Sequence, residues 1–192
     1  MKFKNMLKLM LLLVFATPVL ISCNYILENN KRKKDIVSDI QTKINTYKKE
    51  AELLLRVSRN NLDIIELCEA IKHVDTLKNV AQLTERLEKT HFEISKNYNK
   101  LAEDKLISIP TYISINNAFE FRDDDNHAFI EKKLKQILNK TETQIQLLNT
   151  LGKTTNNVEF KVLAIKDTHT LKSNINKIED TLNRLNQEAQ EI

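Results

Sequence analysis

The sequence is poor in the residues that make tight turns. It has one glycine, Gly152, two prolines, Pro18 and Pro110, and no tryptophan among 192 residues. Sheet folds need many turns rich in glycine, so this composition argues against them and favours a few long helices. The phosphate loop, the Gly-x-Ser-x-Gly nucleophile elbow and the dinucleotide fingerprint each need at least two glycines, so all of these motifs are excluded.

Cysteine is also scarce, and its position is informative. Of the two cysteines, Cys23 ends the tetrapeptide Leu20-Ile21-Ser22-Cys23. This is the pattern of a bacterial lipobox: an aliphatic residue, a residue that the motif tolerates, a small residue and an obligatory cysteine. The thiol of that cysteine is alkylated before the signal peptide is cleaved. The motif predicts a mature chain that begins at Cys23, carrying a diacylglyceryl group on the sulfur and an N-acyl chain.

The residues before Cys23 have the layout of a signal peptide. A positive start is followed by the short apolar stretch Leu7–Phe15 and then by Pro18, with the positive charges supplied by Lys2, Lys4 and Lys8. A transmembrane helix needs about 20 apolar residues, and this stretch is shorter. An ordinary signal peptide ends in an Ala-x-Ala-like site, which is missing here. Residues 1–22 are therefore predicted to be a lipoprotein signal peptide that is removed.

Removing this segment changes the charge of the protein. Of the 30 basic residues three precede Cys23, which leaves 27 against 26 acidic residues, a net charge of +1. A nucleic-acid partner calls for a basic face or stripe, and this balance does not support one. Cys68 remains as a lone thiol that has no internal disulfide partner. Its spacing from Ile64 and Ile71 predicts a small core residue on an apolar helix face.

Apolar residues recur every three or four positions, which is typical of amphipathic helices. The first face consists of Ile36, Ile40, Ile44, Tyr47, Ala51, Leu54 and Ser58. A break or bend is predicted at Asn60-Asn61, followed by a second long stretch with a kink near Asn79. The second face consists of Leu62, Ile65, Leu67, Cys68, Ile71, Leu77, Val80, Leu83, Leu87, His91, Ile94, Tyr98 and Leu101.

Pro110 ends this region, since a proline disfavours helical geometry in the residue before it. A third helix is predicted to start near Asp125 or Asn126, both good N-caps, and to end at Gly152 as a left-handed cap. A fourth helix runs from about Val158 to the end. Its heptad is the most regular in the chain, through Leu171, Ile175, Ile178, Leu182, Leu185, Ala189 and Ile192.

These patterns predict an all-α fold, an elongated antiparallel bundle of about four long amphipathic helices after the lipoprotein signal peptide. Residues 23–34 are predicted to be a lipidated flexible tether, and residues 35–192 the bundle domain. The basic run Lys31–Lys34 in the tether faces anionic lipid head groups or is simply solvated. The fourth helix leaves a coiled-coil homodimer open as an alternative.

Groups for catalysis or metal binding are few. His73, His91, His127 and His169 are far apart and form no His-x-x-x-His or Cys-x-x-Cys pattern, so neither a metal site nor a cofactor is predicted. His91 lies on an apolar helix face and is expected to be a hydrogen-bonded interior or boundary histidine. Asp123-Asp124-Asp125 lacks the glycine and the distal glutamate of a calcium loop, and helix capping explains it better. No enzyme activity is predicted.

The signal ending Leu-Ile-Ser-Cys-Asn, the composition rich in Lys, Asn, Ile and Leu, and the helical body resemble the small surface lipoproteins of spirochaetes of the Borrelia group. Only the signal, residues 1–24, matches a defined motif, and the rest of the resemblance is one of composition. The resemblance implies an anchor in the outer membrane, display on the cell surface and binding of a host protein, such as the complement regulator factor H or an extracellular-matrix ligand. The alternative is a periplasm-facing envelope lipoprotein that self-associates through its helices.

The segment from Ile107 to Phe121 is the candidate contact region. Exposed aromatic residues are favoured at interfaces, and loops on a rigid scaffold often carry function. The candidate binding residues are Tyr112, Ile113, Phe119 and Phe121. The alternative is that the same side chains cover one end of the bundle core.

Overall fold

The computed structural model describes residues 2–74, 77–111 and 126–188, with the side chains of residues 31–74, 77–111 and 126–187. These ranges contain four helices and no strand: α1 (Lys2–Lys72), α2 (Lys78–Asp104), α3 (Asn126–Thr154) and α4 (Val158–Glu188). The predicted all-α bundle of four helices is confirmed.

The chain divides into two compact units, Met1–Asn45 and Thr46–Ile192. The described part of the first unit belongs to α1 alone. The second unit holds the rest of α1 together with α2, α3 and α4. The predicted ends of the signal peptide, at residue 22, and of the tether, at residue 34, both fall within α1 and stay predictions.

Contacts between the helices give their directions within the second unit. Lys105, after α2, pairs with Glu50 of α1, and His91 of α2 contacts Asn61 of α1, so α2 runs antiparallel to α1. Thr155 contacts Glu50 and Lys140 contacts Asp63, so α3 is also antiparallel to α1.

Helix α4 runs antiparallel to α3, because His127 near the start of α3 contacts the Leu185 carbonyl near the end of α4. Helices α2 and α3 therefore run in the same direction, and both are antiparallel to α1 and α4. The heptad of α4 packs inside this bundle, since Leu171, Ile178, Leu182 and Leu185 are buried in the core.

The break predicted at Asn60-Asn61 is wrong, because α1 continues to Lys72. Asparagine often disturbs helices because its side chain competes for the backbone. Here both amides bind elsewhere: Asn60 Nδ2 donates to the Lys140 carbonyl (2.8 Å) and Asn61 Nδ2 to the His91 carbonyl (2.6 Å). The helices are instead separated between Lys72 and Lys78, which replaces the kink predicted near Asn79.

The starts of the last two helices agree with the sequence prediction, and the predicted end of α3 does not. Helices α3 and α4 begin at Asn126 and Val158. Gly152 lies inside α3, which ends at Thr154, and its φ is not positive. A Cβ at Gly152 would lie 3.4 Å from the Cβ of Ala164. The glycine therefore serves close packing of α3 on α4 rather than a left-handed cap.

The described residues of the second unit form two apolar core clusters. One lies toward Glu50 and includes Leu54, Tyr98, Leu148, Leu151 and Phe160. The other lies toward Lys72 and includes Ile64, Cys68, Leu87, Leu134 and Ile178. Buried polar side chains lie along α1, α2, α3 and α4 where the two clusters meet: Ser58, Asn60, Asn61, His91, Ser95, Thr141, Gln144 and Asn174. We call these residues the polar layer.

Within the described residues, no helix is both long enough and apolar enough to cross a membrane.

Candidate functional site

The predicted contact segment is only partly described, and its described part belongs to the bundle. Ile107 is buried in the core, Ile109 packs against it, and Ser58 Oγ donates to the Pro110 carbonyl (2.6 Å). Ile107 is therefore a core residue and not a contact. Tyr112, Ile113, Phe119 and Phe121 lie outside the described residues, as does Asp123-Asp124-Asp125. Of Cys23 only the helical backbone is described.

His91 is an interior histidine, as predicted. Its side chain is 0 % exposed, and its Nδ1 lies 2.7 Å from Asn61 Oδ1. Burial disfavours the charged imidazolium and lowers the pKa of His91 to about 3. Its Nε2 has no hydrogen-bond partner. Because a neutral ring completely enclosed in the polar layer has no access to substrate, we assign His91 a structural role.

A second buried polar pair lies between α2 and α4. Burial raises the pKa of Asp167 to about 6, although Lys166 and the Tyr98 hydroxyl act in the opposite direction. Burial and the Asp167 charge also raise the pKa of Tyr98. The two side chains interact, yet neither Tyr98 Oη nor Asp167 Oδ2 has a hydrogen bond of ordinary geometry. Tyr98 also stacks on Phe160, with ring centroids 6.1 Å apart, so the pair is part of the core.

Cys68 is a buried core residue, as predicted. Burial raises the pKa of its thiol to about 12, and the Glu88 carboxylate adds to that effect. A thiol with this pKa stays protonated at neutral pH and is a poor nucleophile. Among the residues whose side chains are described, no three His, Cys, Asp or Glu lie close enough together to hold a metal ion.

The outer face of α4 near its start is apolar. Val158, Val162 and Ile165 recur at helical spacing and are 70 %, 59 % and 73 % exposed. They lie on the side of α4 opposite Phe160 and Ala164, which are buried in the core. We call these three residues the α4 stripe. A helix that is apolar on both faces is normally covered on both, so this half of α4 has the composition of a helix that meets a second surface.

Another exposed apolar residue lies at the same end of the bundle. Helix α2 ends in a Schellman motif, in which Ile107 N donates to the Ala102 carbonyl and Leu106 N to the Glu103 carbonyl, both at 2.9 Å. Leu106 takes the left-handed position, with φ 58°, and is 92 % exposed. Glycine usually holds this position, since any Cβ there costs about 1–2 kcal/mol. Neither burial nor backbone geometry explains a leucine here.

Contacts of the residue before Leu106 place the end of α2 at the same end of the bundle as the start of α4. The preceding residue, Lys105, holds its Nζ 5.8 Å from the centre of the Phe160 ring and 3.2 Å from Glu50 Oε1. Thr155 Oγ1, just before α4, donates to the other oxygen of Glu50 (2.6 Å). The end of α2 and the start of α4 are thus fastened to the same carboxylate. Leu106 and Val158 therefore belong to one end of the bundle, which we take as the candidate site.

Sequence reasoning missed this site, although one signal was present. Val158, Val162 and Ile165 are spaced by four and three, the spacing of an apolar helix face. They overlap in sequence with a second set at the same spacing, Phe160, Ala164, Asp167 and Leu171. Two interleaved sets indicate a helix with two apolar faces. Nothing in the sequence around Leu106 indicates its left-handed backbone.

A third exposed apolar surface lies in the first unit. The face predicted from Ile36 onward is buried only from Leu53 and Leu54. Earlier in α1, four of its side chains are at least half exposed: Ile36, Val37, Ile40 and Ile44. We call these four residues the α1 stripe. The start of the bundle domain at residue 35 stays a prediction, and the exposure of these four side chains is the finding.

The chain matches no known protein family, no curated protein and no solved structure.

Proposed function

We propose that this chain is a lipid-anchored lipoprotein of the bacterial outer membrane, facing the cell surface, whose helical bundle binds a host protein. The lipobox ending at Cys23 supports the anchor. The α4 stripe supports the binding role: it consists of three exposed β-branched residues, which weaken an exposed helix slightly and gain nothing in the isolated chain. Burial against a partner is the physical reason for such residues on an outer face.

The resemblance to Borrelia-type surface lipoproteins sets the class of ligand. We propose a complement regulator such as factor H, or an extracellular-matrix protein. The α4 stripe gives a hydrophobic centre, and Lys161 and Lys166 of the same helix add charge beside it. A fully apolar centre with a polar rim is the arrangement of protein–protein interfaces. We further propose that the protein has no catalytic activity and binds through this surface alone.

The binding proposal is tested by a pull-down with immobilised residues 24–192 against serum, purified factor H and matrix proteins. Val162→Asp with Ile165→Asp places two charges in the stripe and should reduce capture about tenfold or more. Burial of one Val or Ile side chain against the partner contributes about 1.5–3 kcal/mol to binding, and both substitutions remove it. Ser173→Asp with Asn176→Asp adds the same charge at exposed polar positions of α4 and is the matched control. Equal capture by both double variants would overturn the assignment of the stripe.

The anchor is tested separately. Cells that express the full chain are fed a labelled palmitate analogue, and incorporation should disappear in Cys23→Ala. Protease treatment of intact cells should then remove the protein. If the protein resists protease until the envelope is opened, surface display is wrong.

That last result would favour the alternative, a periplasm-facing envelope lipoprotein that self-associates. One observation supports this alternative: Ile36, Ile40 and Ile44 lie at a regular four-residue spacing and are exposed, as a helix that pairs with another helix requires.

A further inference from the structure

The α1 stripe is a narrow apolar surface on residues 31–45 of α1, where every described side chain is exposed. At 100° per residue, Ile36, Val37, Ile40 and Ile44 fall within an arc of about 100°. Positions on the opposite side are polar and exposed, such as Ser38 and Asn45. This is the arrangement of an amphipathic helix, and its apolar side has no partner among the described residues of the first unit.

The charge around the α1 stripe is strongly biased. Residues 31–45 hold five basic residues and two acidic ones, a net charge of +3: Lys31, Arg32, Lys33, Lys34 and Lys43 against Asp35 and Asp39. This contrasts with the net charge of +1 over the whole predicted mature chain. Lys43 pairs with Asp39 (2.8 Å) at the surface, where such a pair is weak and exchanges readily with other anions.

We propose that residues 31–45 lie on the anionic lipid surface itself, with the α1 stripe in the boundary between head groups and acyl chains. Helices of this kind have an aliphatic or aromatic face bordered by lysine and arginine. The long stems of these side chains lie along apolar surface while their charged ends reach the phosphates. The local excess of positive charge provides the complement that an anionic surface requires.

A protein partner fits this stripe less well. Residues 31–45 contain no aromatic residue, and lysine, which is abundant here, is depleted at protein–protein interfaces. Pairing with a second anchored copy also meets an electrostatic cost. Copies held in one leaflet run in the same direction, so stripe-to-stripe pairing in register sets Lys43 of each copy beside the other.

The position in the chain agrees with this role. Ile36 follows Cys23 by 13 residues, a length of about 20 Å as a helix. The distance from Cys23 matters only if the proposed lipid anchor is correct, whereas the exposed stripe and its charge are independent of that anchor. The inference therefore adds a second membrane contact, made by the protein itself, to the lipid on Cys23.

The test uses residues 24–192, which carry no lipid but keep the whole described core, since every buried residue among those described lies between Glu50 and Leu185. The protein is sedimented with vesicles of phosphatidylcholine alone and of phosphatidylcholine with an equal amount of phosphatidylglycerol. We expect binding to the anionic vesicles at least about tenfold above that to the neutral ones, falling as salt is raised.

Variants assign the binding to the stripe. Ile40→Asp with Ile44→Asp should lower the partition onto anionic vesicles about tenfold or more. Ser38→Asp with Asn45→Asp makes the same change of charge on the opposite side of the helix and should lower it less. If both double variants lose vesicle binding equally, the binding depends on charge alone, and the proposed contact of the stripe with lipid would be overturned. Absence of binding to anionic vesicles would overturn the whole inference.

Sedimentation equilibrium tests whether the stripe binds a second copy instead. A dimer that is dissociated by Ile40→Asp with Ile44→Asp would assign the stripe to a second copy and also overturn the inference. Failure of the proposed function is distinguishable from all of these results. Loss of palmitate labelling or of ligand capture leaves the vesicle assay unaffected, because that assay uses unlipidated protein and no ligand.

Discussion

Helix α1 carries one apolar repeat through two different surroundings. Ile36, Ile40 and Ile44 in the first unit are half exposed or more, whereas Leu54 and Ile64 in the second unit are completely buried. Both sets have the three-four spacing of an amphipathic helix. The spacing therefore shows that a helix has an apolar face, but not what covers that face.

The same contrast occurs around α4, where one face is buried by α2 and α3 and the other is exposed. In α1 the contrast lies along the helix and in α4 between two faces, but in both the buried residues stabilise the fold and the exposed apolar residues are available for a partner. We propose that the partner is a lipid surface for the α1 stripe and a host protein for the α4 stripe.

The largest expected effect compares matched truncations in α1. Leu54→Ala removes a fully buried side chain and should lower the free energy of unfolding by about 3 kcal/mol. Ile40→Ala, in the exposed part of the same repeat, should change it by no more than about 0.5 kcal/mol. Chemical denaturation of residues 24–192 measures both. A loss of similar size at Ile40 would show that the α1 stripe is covered in the isolated protein.

The polar layer should make the buried part of the bundle sensitive to acid. The pKa of His91 is about 3 in the folded protein and about 6.5 in an unfolded chain. Unfolding therefore takes up a proton between these values, so stability is full above about pH 6.5 and falls as the pH decreases. From pH 7 to pH 5 the free energy of unfolding should decrease by about 2 kcal/mol from this residue.

Asp167 acts in the opposite direction, and a variant separates the two. Its folded pKa, about 6, lies above its ordinary value of 3.8, so the folded state binds more protons and Asp167 favours stability as the pH falls. Asp167→Asn should therefore leave a steeper loss of stability toward pH 5 than in the wild type. Denaturation at pH 7 and pH 5 tests this, and a shallower loss in the variant would contradict the assigned pKa direction.

The smallest effect concerns the exposed end of the bundle. Leu106→Gly removes the steric cost of a left-handed leucine and should raise the free energy of unfolding by about 1 kcal/mol. If Leu106 contacts the ligand, the same variant should be more stable and bind less. Thermal unfolding and the pull-down measure the two properties, and a variant that is less stable would show that the exposed leucine supports the fold.

Much of the fold followed from the sequence, because its elements depend on local signals. The shortage of glycine and the repeats predict about four helices, with starts near Asp125 or Asn126 and near Val158, and α3 and α4 begin at Asn126 and Val158. Cys68 and His91 were recognised as interior residues from the faces on which they lie. These predictions need only the period of a helix and the chemistry of its ends.

The errors all concern contacts between distant residues. Asn60 and Asn61 stay helical because their side-chain amides form hydrogen bonds with residues far away in the sequence. Asn60 binds Lys140 and Gln144, 80 and 84 positions away, and Asn61 binds His91, 30 positions away. Gly152 of α3 faces Ala164 of α4 where these two helices pack together. The exposure of Val162 depends on which face of α4 the other helices of the second unit leave uncovered. Local spacing contains none of this information.

Hydrogen exchange on residues 24–192, with and without anionic vesicles, tests the difference between the two parts of α1 most directly. In solution, amides of residues 53–71 should exchange only by opening of the bundle, while those of residues 31–45 should exchange rapidly. Added anionic vesicles should slow exchange in residues 31–45 and leave residues 53–71 unchanged. Residues 31–45 protected without vesicles, or unprotected with them, would contradict the assignment of the α1 stripe to the lipid surface.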